Sequence, residues 1–462
     1  MSAWYDRSVF YHMYPLGMTG APKVNPPQGE GTHRLLSLED WIPHIKELGC
    51  GGIYIGPLFE SSSHGYDTRD FLQIDRRLGT NEDFCHFVSL CHKSGIRVVV
   101  DGVFNHTGRE FFAFQDIAQK RWDSPYRDWY RGVGFDFPSP LGDPFHYEAW
   151  QGHFELPCLN LQNPSVRDYL FQAVNFWVRE FDIDGIRLDC ANVLDFGFMS
   201  ELRARTEAMK KDFWLMGEVI HGDYARWLGP SMLHSVTNYE LHKSIYSGFN
   251  DHNFFEIAHN VRRLQAIGRE LYTFVDNHDE DRIASKLKDP AHLAPVYICL
   301  YTLPGIPSLY YGGEWAIKGQ RTKTCDEALR PALSMDQEPH LRCPLTGLLE
   351  RLGQIHSQEK AFHHGVYREL LLTNRQYAYS RQNEDSLVIT VLNNDSQPTT
   401  VSVPVFAEGS QALPLLGGPE EMGFAGQKPG GGGPEEMKPL PIRDGRLTLT
   451  LPANWGMIYK II

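Results

Sequence analysis

The chain has 462 residues, of which 42% are hydrophobic and 22% charged, as in an ordinary globular protein with a large core. Its formal net charge of −13 argues against binding to nucleic acid or to an anionic membrane. The eight cysteines form no C-x-x-C pair and the N-terminal residues lack the pattern of a signal peptide. We therefore expect free thiols and a cytoplasmic protein.

Short apolar segments alternate with amphipathic helices through the first two-thirds of the chain. The first predicted helix has Ser37 as its N-cap and ends at Gly49, and a later helix begins with Asn163 as cap and Pro164 at its first position. Eight βα units predict an α/β fold with a closed (β/α)8 TIM barrel. The predicted strands cover residues 9–14, 52–56, 97–101, 186–189, 213–218, 235–239, 272–276 and 307–311.

Two segments depart from this alternation and predict additional domains. Residues 104–162 are rich in Trp, Tyr, Pro and Gly and lack a helical period, so they predict an inserted domain after strand three, called the B domain below. Residues 367–462 alternate in short strands and predict a C-terminal antiparallel β-sandwich domain. The barrel then comprises residues 1–103 and 163–366. No glycine-rich phosphate loop follows any predicted strand, so no nucleotide cofactor is expected.

Four predicted strands end in carboxylates, at the barrel face where catalytic groups of this fold lie. Arg187 and Asp189 are two residues apart on one strand and therefore point to the same side. The guanidinium favours the ionised form of Asp189, which suits a nucleophile. Glu218, crowded by the negative charges of Asp101 and Asp279, is expected to have a raised pKa and to donate a proton. Two such carboxyls about 5–5.5 Å apart are the groups that a retaining glycosidase uses.

Simpler explanations of these acids remain open at this stage. One acid at a strand end is usually a helix cap or a salt-bridge partner, although four buried acids without a function would be strongly destabilising. Together with His106 and His278, the carboxylates could also hold a divalent metal ion. The charge of Arg187 within the cluster argues against a metal site.

Four segments of the sequence are similar, in chain order, to the signature segments of the alpha-amylase family, glycoside hydrolase family 13. They are DGVFNH from Asp101, GIRLD from Gly185, GE from Gly217 and FVDNHD from Phe274. The resemblance implies that Asp189 is the nucleophile, that Glu218 is the general acid and base, and that Asp279 stabilises the transition state.

The same resemblance implies a set of substrate-binding residues. It implies that Arg187, His106 and His278 contact the sugar and position the nucleophile in the first subsite. Tyr66, in the segment HGYD, is expected to stack on the sugar there, with the acid Asp70 nearby. The remaining members of the predicted substrate-binding set are Asp101 and His221.

Finer resemblances point to the group of neopullulanases, cyclomaltodextrinases and maltogenic amylases. They lie in residues 217–221, which include His221, and in residues 156–160. Those enzymes carry an additional N-terminal β domain that builds a dimer, whereas this sequence starts at the first barrel strand, so a monomer is plausible. Calcium-dependent relatives have Lys-His shortly after the nucleophile, where this chain has Asn192-Val193, and Cys158 replaces an acid. No metal and no cofactor are therefore expected.

The predicted function is that of a retaining α-glucan hydrolase acting on α-1,4 bonds of maltodextrins or cyclodextrins, with α-1,6 bonds as a further candidate. Its expected partner is an oligosaccharide substrate. Two alternatives remain. In a transglycosylase or isomerase, a sugar instead of water would resolve the covalent intermediate at the same site. A non-catalytic carbohydrate-binding protein on the same barrel would have lost at least one of the three acids.

Overall fold

The computed structural model describes residues 3–26, 29, 31–323, 325–406, 409–424 and 438–462. Within these residues, strands and α-helices are numbered in chain order. The strands are β1 (Val9–Met13), β2 (Cys50–Ile55), β3 (Phe59–Ser61), β4 (Thr68–Ile74), β5 (Arg97–Gly102), β6 (Ala149–Trp150), β7 (His153–Pro157), β8 (Gly185–Leu188), β9 (Trp214–Gly217), β10 (Ser235–Thr237), β11 (Leu271–Thr273), β12 (Ile306–Tyr310), β13 (Val366–Leu372), β14 (Gln376–Gln382), β15 (Leu387–Asn393), β16 (Thr399–Pro404), β17 (Gln411–Leu416), β18 (Leu440–Arg443), β19 (Arg446–Leu451) and β20 (Trp455–Ile461). The helices are α1 (Pro15–Met18), α2 (Trp41–Glu47), α3 (Asn81–Lys93), α4 (Phe112–Lys120), α5 (Pro164–Glu180), α6 (Phe196–Met209), α7 (Tyr239–Asn250), α8 (Phe254–Arg263), α9 (Ile283–Lys286), α10 (Leu293–Thr302), α11 (Glu338–Leu341), α12 (Pro344–Gln358) and α13 (Lys360–His364).

Eight strands close into a parallel barrel in the order β1-β12-β11-β10-β9-β8-β5-β2. These are the eight strands predicted from the sequence, so the barrel is confirmed, with strand limits shifted by a few residues. Asp101 pairs with Arg187 and Leu188 pairs with Gly217 across neighbouring strands. The carboxyl ends of β5, β8 and β9 therefore lie side by side on one rim.

Two insertions rise from this rim. The hairpin β3–β4 lies between β2 and α3, and its connecting residues 62–67 carry Tyr66; no pattern in the sequence predicts this hairpin. Between β5 and α5 the chain forms α4 and the short hairpin β6–β7, in the segment predicted as the B domain. An isolated bridge joins His106 to Cys158, so the start and the end of the insertion are tied together next to the barrel.

The predicted caps of α2 and α5 can be compared with the observed ends of these helices. Asn163 caps α5 by accepting the backbone N–H of Ser165, as predicted. Gly49 follows α2 with a φ of +72°, which favours glycine. The prediction for Ser37 was wrong: its hydroxyl donates to the carbonyl of Arg34 within a 3-10 turn, and α2 begins only at Trp41.

The apolar run from residue 294 to 311 forms the buried helix α10 followed by the buried strand β12. In the part of the chain that the structure describes, no helix combines the length and the apolar character needed to cross a bilayer.

The C-terminal domain is an eight-stranded antiparallel sheet in the order β13-β14-β15-β20-β17-β18-β19-β16. Side chains on one face, including Val391 and Leu449, form a core of the domain's own. Side chains on the other face, including Val388 and Ile458, join the core of the barrel. The proposed domain limits remain residues 1–103 and 163–366 for the barrel, 104–162 for the B domain and 367–462 for this domain.

Candidate active site

The rim of the barrel holds a buried guanidinium surrounded by three carboxylates. Arg187 donates through Nη1 to Asp101 and Asp189, at 2.8 and 2.9 Å, and its Nη2 lies 2.9 Å from an oxygen of Glu218. Burial opposes the charge of Arg187, but Asp101 and Glu218 outweigh it and hold its pKa well above the usual range. Arg187 is therefore a fixed cation that orders its three neighbours.

Asp189 and Glu218 come from neighbouring strand ends and meet across a short gap. A carboxylate oxygen of Asp189 and one of Glu218 lie within 4.8 Å of each other. Cys190, in the left-handed conformation with a φ of +49°, turns the chain directly after Asp189, and its backbone N–H donates to Glu218. This is the close spacing on which a double displacement at a sugar carbon depends.

The thiol of Cys190 lies within the same 4.8 Å of both carboxylates. Among the described residues, this is the only group of three or more His, Cys, Asp or Glu side chains close enough to share a metal ion. Arg187 already occupies the Asp189 and Glu218 oxygens, and burial raises the pKa of Cys190 far above its usual range, so the thiol holds its proton. The donor set therefore fits a proton-transfer site better than a metal site.

The protonation of Asp189 differs from the expectation based on the sequence. Burial raises its pKa to about 8; Arg187 acts against this shift, whereas Glu218 and Asp101 add to it. The neighbouring guanidinium does not keep Asp189 ionised, because one cation is divided among three carboxylates and cannot outweigh their desolvation. At neutral pH Asp189 therefore keeps its proton in the free site.

Asp279 lies on the opposite side of the cleft and is held at both of its oxygens. Nε2 of His278 lies 3.1 Å from one oxygen, and Arg330 donates to the other at 2.9 Å. Burial would raise the pKa of Asp279, but His278 and Arg330 outweigh it and keep this pKa well below its usual range. Asp279 is therefore a permanent negative charge facing the cleft.

Tyr66 links the two sides of the cluster. Its hydroxyl donates to Asp101 at 3.1 Å and lies 2.5 Å from Nε2 of His278, and its ring stacks on that of His278 at 5.6 Å. Tyr54 donates a second hydrogen bond to Asp101, at 2.9 Å. The chain of contacts from Asp279 through His278, Tyr66 and Asp101 to Arg187 brings together five of the predicted site residues.

His106 closes the cleft on the side of the B domain. Its Nε2 lies 3.1 Å from the carbonyl oxygen of Tyr66, and burial lowers its pKa to about 3, so the ring is neutral. The ring of Trp150, on the hairpin β6–β7, lies 5.9 Å from His106 and stacks on His153 at 5.6 Å. The B domain thus adds a partly exposed aromatic face beside the buried cluster.

Two residues singled out in the sequence do not join the cluster. His221 is exposed three residues after Glu218, and no hydrogen bond or ion pair connects it to the described side chains. Asp70 was expected near the sugar, but it lies on β4, accepts the backbone N–H of Leu72 and lines a separate groove outside the hairpin β3–β4.

Other contributors were missed at the sequence level. Tyr239 donates to Glu218 at 3.1 Å from the first residue of α7, directly after a barrel strand, so a search of strand ends for donors as well as acids would have found it. Arg330 follows a 3-10 turn and Trp150 ends the two-residue strand β6, and no pattern in the sequence marks either of them.

With this geometry established, comparisons with known proteins give the family. A profile of the alpha-amylase catalytic domain matches residues 28–346. The maltogenic alpha-amylase of Bacillus acidopullulyticus is 30% identical over 446 residues, which are 91% of this chain and 74% of that protein. A cyclomaltodextrinase of Thermoanaerobacter pseudethanolicus is 29% identical over 424 residues, 86% of this chain and 72% of that protein.

A solved structure agrees over the full length. The debranching enzyme of Nostoc punctiforme, in its native form, superposes with a TM-score of 0.81 at 26% identity and covers 99% of this chain and all of that one. The chain is a glycoside hydrolase that belongs to the alpha-amylase family.

Proposed function

We propose that this protein is a retaining α-glucan hydrolase that cleaves α-1,4 glucosidic bonds of maltodextrins and cyclodextrins, and that Asp189, Glu218 and Asp279 perform the reaction. The observation that carries the proposal is the approach of Asp189 and Glu218 to within 4.8 Å at adjacent strand ends. The relatives named above as a maltogenic alpha-amylase and a cyclomaltodextrinase support the substrate class.

In the first step, a carboxylate oxygen of Asp189 attacks the anomeric carbon while the bond to the leaving oxygen breaks. Glu218 gives its proton to that oxygen, so the leaving sugar departs neutral and a glycosyl ester of Asp189 remains. The proton that Asp189 holds in the free site must therefore have left Asp189, and one must reside on Glu218, when the sugar is bound. Asp279 faces the positive charge that develops on the sugar.

In the second step, the ionised Glu218 takes a proton from water, the water oxygen attacks the anomeric carbon, and the ester bond to Asp189 breaks. Two inversions give net retention of configuration. Arg187 orients both carboxylates, Tyr239 donates to the same oxygen of Glu218 that Arg187 contacts, and the backbone N–H of Cys190 donates to the other oxygen. Tyr66 and Trp150 offer aromatic faces for the apolar side of the glucose rings, and His106 and His278 offer ring nitrogens for hydroxyl groups.

The test of these roles uses Asp189→Asn and Glu218→Gln, which keep the shape of each side chain. Both should lower kcat on maltotriose by about 10⁴-fold or more, because neither step has a substitute group. Asp212→Asn, at an exposed site before β9, is the matched control and should behave as the wild type. Activity of the Asp189 variant above about one-hundredth of the wild type would reject the assignment, provided that its melting temperature shows a folded protein.

Stereochemistry and bond preference are read from the products. NMR of the first products should show the α-anomer, and loss of that excess would exclude a retaining mechanism. A panel of maltotriose, β-cyclodextrin and pullulan separates α-1,4 from α-1,6 cleavage. The relative named as a debranching enzyme makes α-1,6 bonds the second candidate.

A transglycosylase is the second candidate activity, because apolar side chains lie partly exposed next to the reacting carboxyls. Val193 is 48% exposed, Phe196 37% and Ile220 37%, on the loops that follow Asp189 and Glu218. Such a surface favours a sugar over water as the acceptor. Oligosaccharides longer than the maltotriose supplied, seen early in the reaction, would establish transfer.

We also propose a cytoplasmic location. All eight cysteines are free thiols, as expected in a reducing compartment, and a relative in Bacillus subtilis is named an intracellular maltogenic amylase.

A further inference from the structure

A polar groove lies on the outer side of the hairpin β3–β4, away from the catalytic cluster. The hairpin, the start of α3 and the start of α4 enclose a volume of about 690 Å³. Asp70, Gln73, Glu82 and Phe112 are among the lining residues. A volume of this size lies within the range of small-ligand sites.

The charges around the groove are largely paired, which leaves hydrogen-bonding groups rather than a strong ion site. Arg69 and Arg76 both contact Glu60, and Arg69 also pairs with Glu110. The amide of Gln73, by contrast, makes no hydrogen bond to the described residues. With both arginines paired, the groove offers hydrogen-bonding groups, mostly acceptors, to a ligand rich in hydroxyl groups.

Two further side chains that line the groove also have polar atoms without a partner among the described residues. One carboxylate oxygen of Asp70 accepts a backbone N–H and the other has no partner in the described part of the chain. Glu82, exposed in the first turn of α3, forms neither a hydrogen bond nor an ion pair with any described residue. Both carboxylates can accept hydrogen bonds from hydroxyl groups.

A row of aromatic rings continues from the groove across the B domain. Phe112 is 43% exposed and lies 5.3 Å from the ring of Tyr126. The next residue, Arg127, lies over Trp122 at 5.8 Å, and Trp122 packs against Phe135 at 4.6 Å. Trp122 is 62% exposed. Because large aromatic side chains are usually well buried, the exposed Phe112 in the groove and the exposed Trp122 elsewhere on the B domain indicate a binding surface.

We propose that this outer face of the B domain, from the groove beside Phe112 to Trp122, binds a second segment of an α-glucan chain. A glucose ring has two apolar C–H faces that pack on aromatic rings and an edge of hydroxyl groups that needs donors and acceptors, and this surface offers both. The inference rests on the proposed function, because the glucan is the substrate of the cleft.

The position of this outer surface relative to the cleft predicts which substrates depend on it for binding. The hairpin β3–β4 carries Tyr66 at its tip inside the cleft and the groove on its outer side, so both sites share one support. A long chain can occupy both, whereas maltotriose fits only the cleft. The outer surface should therefore lower KM for long glucans and leave maltotriose hydrolysis unchanged.

The test compares Phe112→Ala and Trp122→Ala with Phe255→Ala, a change of an exposed aromatic residue on α8. In a native gel containing soluble amylose, we expect each B-domain variant to lose most of its retardation, whereas the control keeps it. KM for amylose should rise about tenfold in the double variant, with kcat/KM for maltotriose unchanged. A lowered melting temperature would identify a misfolded Phe112→Ala variant. Because Trp122 is more exposed than Phe112, Trp122→Ala is expected to fold and tests the surface independently.

The outcomes separate this inference from the proposed function. Hydrolysis of maltotriose together with unaltered amylose retardation in the Trp122 variant would overturn the outer site alone. A change of elution volume in Trp122→Ala relative to the wild type would also overturn it, since the surface would then join two copies of the chain. If the wild type hydrolyses no glucan, the proposed function itself fails.

Discussion

Two buried arginines, one at the rim of the barrel and one at its junction with the C-terminal sheet, are used in opposite ways. Within the described parts of the chain, Arg381, 1% exposed, donates only to backbone carbonyls, those of Thr302, Phe362 and Gly365. Burial lowers its pKa to about 10. Arg187, 3% exposed, faces carboxylates that raise its pKa far above the usual range.

The difference shows what separates a structural charge from a functional one. At the junction, one cation satisfies carbonyl groups that would otherwise be buried without partners, and no acid is involved. At the rim, three carboxylates share one cation, which leaves an excess of buried negative charge that folding alone would not favour. That excess is useful where positive charge develops on a sugar.

Exchanging each arginine for methionine gives the largest expected effect. Arg187→Met should lower kcat/KM by about 10³-fold or more, because the two reacting carboxyls lose their orientation. Arg381→Met should lower the free energy of unfolding by about 3 kcal/mol and leave kcat nearly unchanged. Steady-state rates per folded molecule and denaturant unfolding measure both. A large loss of kcat in the Arg381 variant would contradict the division into a structural and a functional charge.

Arg330 is an intermediate case, because it joins Asp279 to the half-buried Asp326. Its removal should lower kcat by about 10²-fold with little change in KM, since Asp279 acts in the transition state and loses its fixed position. Arg330→Lys should recover part of the rate. Asp326→Asn, which leaves the contact with Asp279 in place, should change kcat by less than about threefold; an equal loss in both variants would remove Arg330 from this role.

The last prediction concerns how the stability of the protein depends on pH. Because the pKa of Asp189 is raised to about 8 in the folded protein, the folded state holds a proton that the unfolded chain releases near pH 4. The contribution of this group to stability is therefore fully present below about pH 4 and declines as the pH rises to about 8. Asp189→Asn should raise the melting temperature relative to the wild type, and by more at pH 8 than at pH 4.5. Equal differences at both pH values would contradict a proton held by Asp189.

The barrel could be predicted from the sequence because parallel strands buried on both faces form continuous apolar segments, as in Arg97–Gly102. An acid directly after such a strand lies at the rim of the barrel whatever its contacts are. The amino-acid sequence is therefore sufficient to single out Asp101, Asp189 and Glu218. Local capping was less predictable: Ser37 has the right side chain, but the turn before α2 is set by packing rather than by that hydroxyl.

The remaining parts depend on contacts between distant segments. Arg330 meets Asp279 across 51 residues, and Trp150 meets His106 from the far end of the B domain, so neither pair leaves a periodic signal. The protonation of Asp189 depends on how many carboxylates contact Arg187. That number is known only from the folded structure. Sequence reasoning can name these groups, but it cannot weigh their desolvation against one shared cation.

The single cation shared by three acids has a practical consequence for anyone assaying this protein. A protonated amine that carries hydroxyl groups would supply, between Asp189 and Glu218, the positive charge that the site lacks. Buffers built on such amines should act as competitive inhibitors, so kinetic constants should first be compared in amine and phosphate buffers at equal pH and ionic strength.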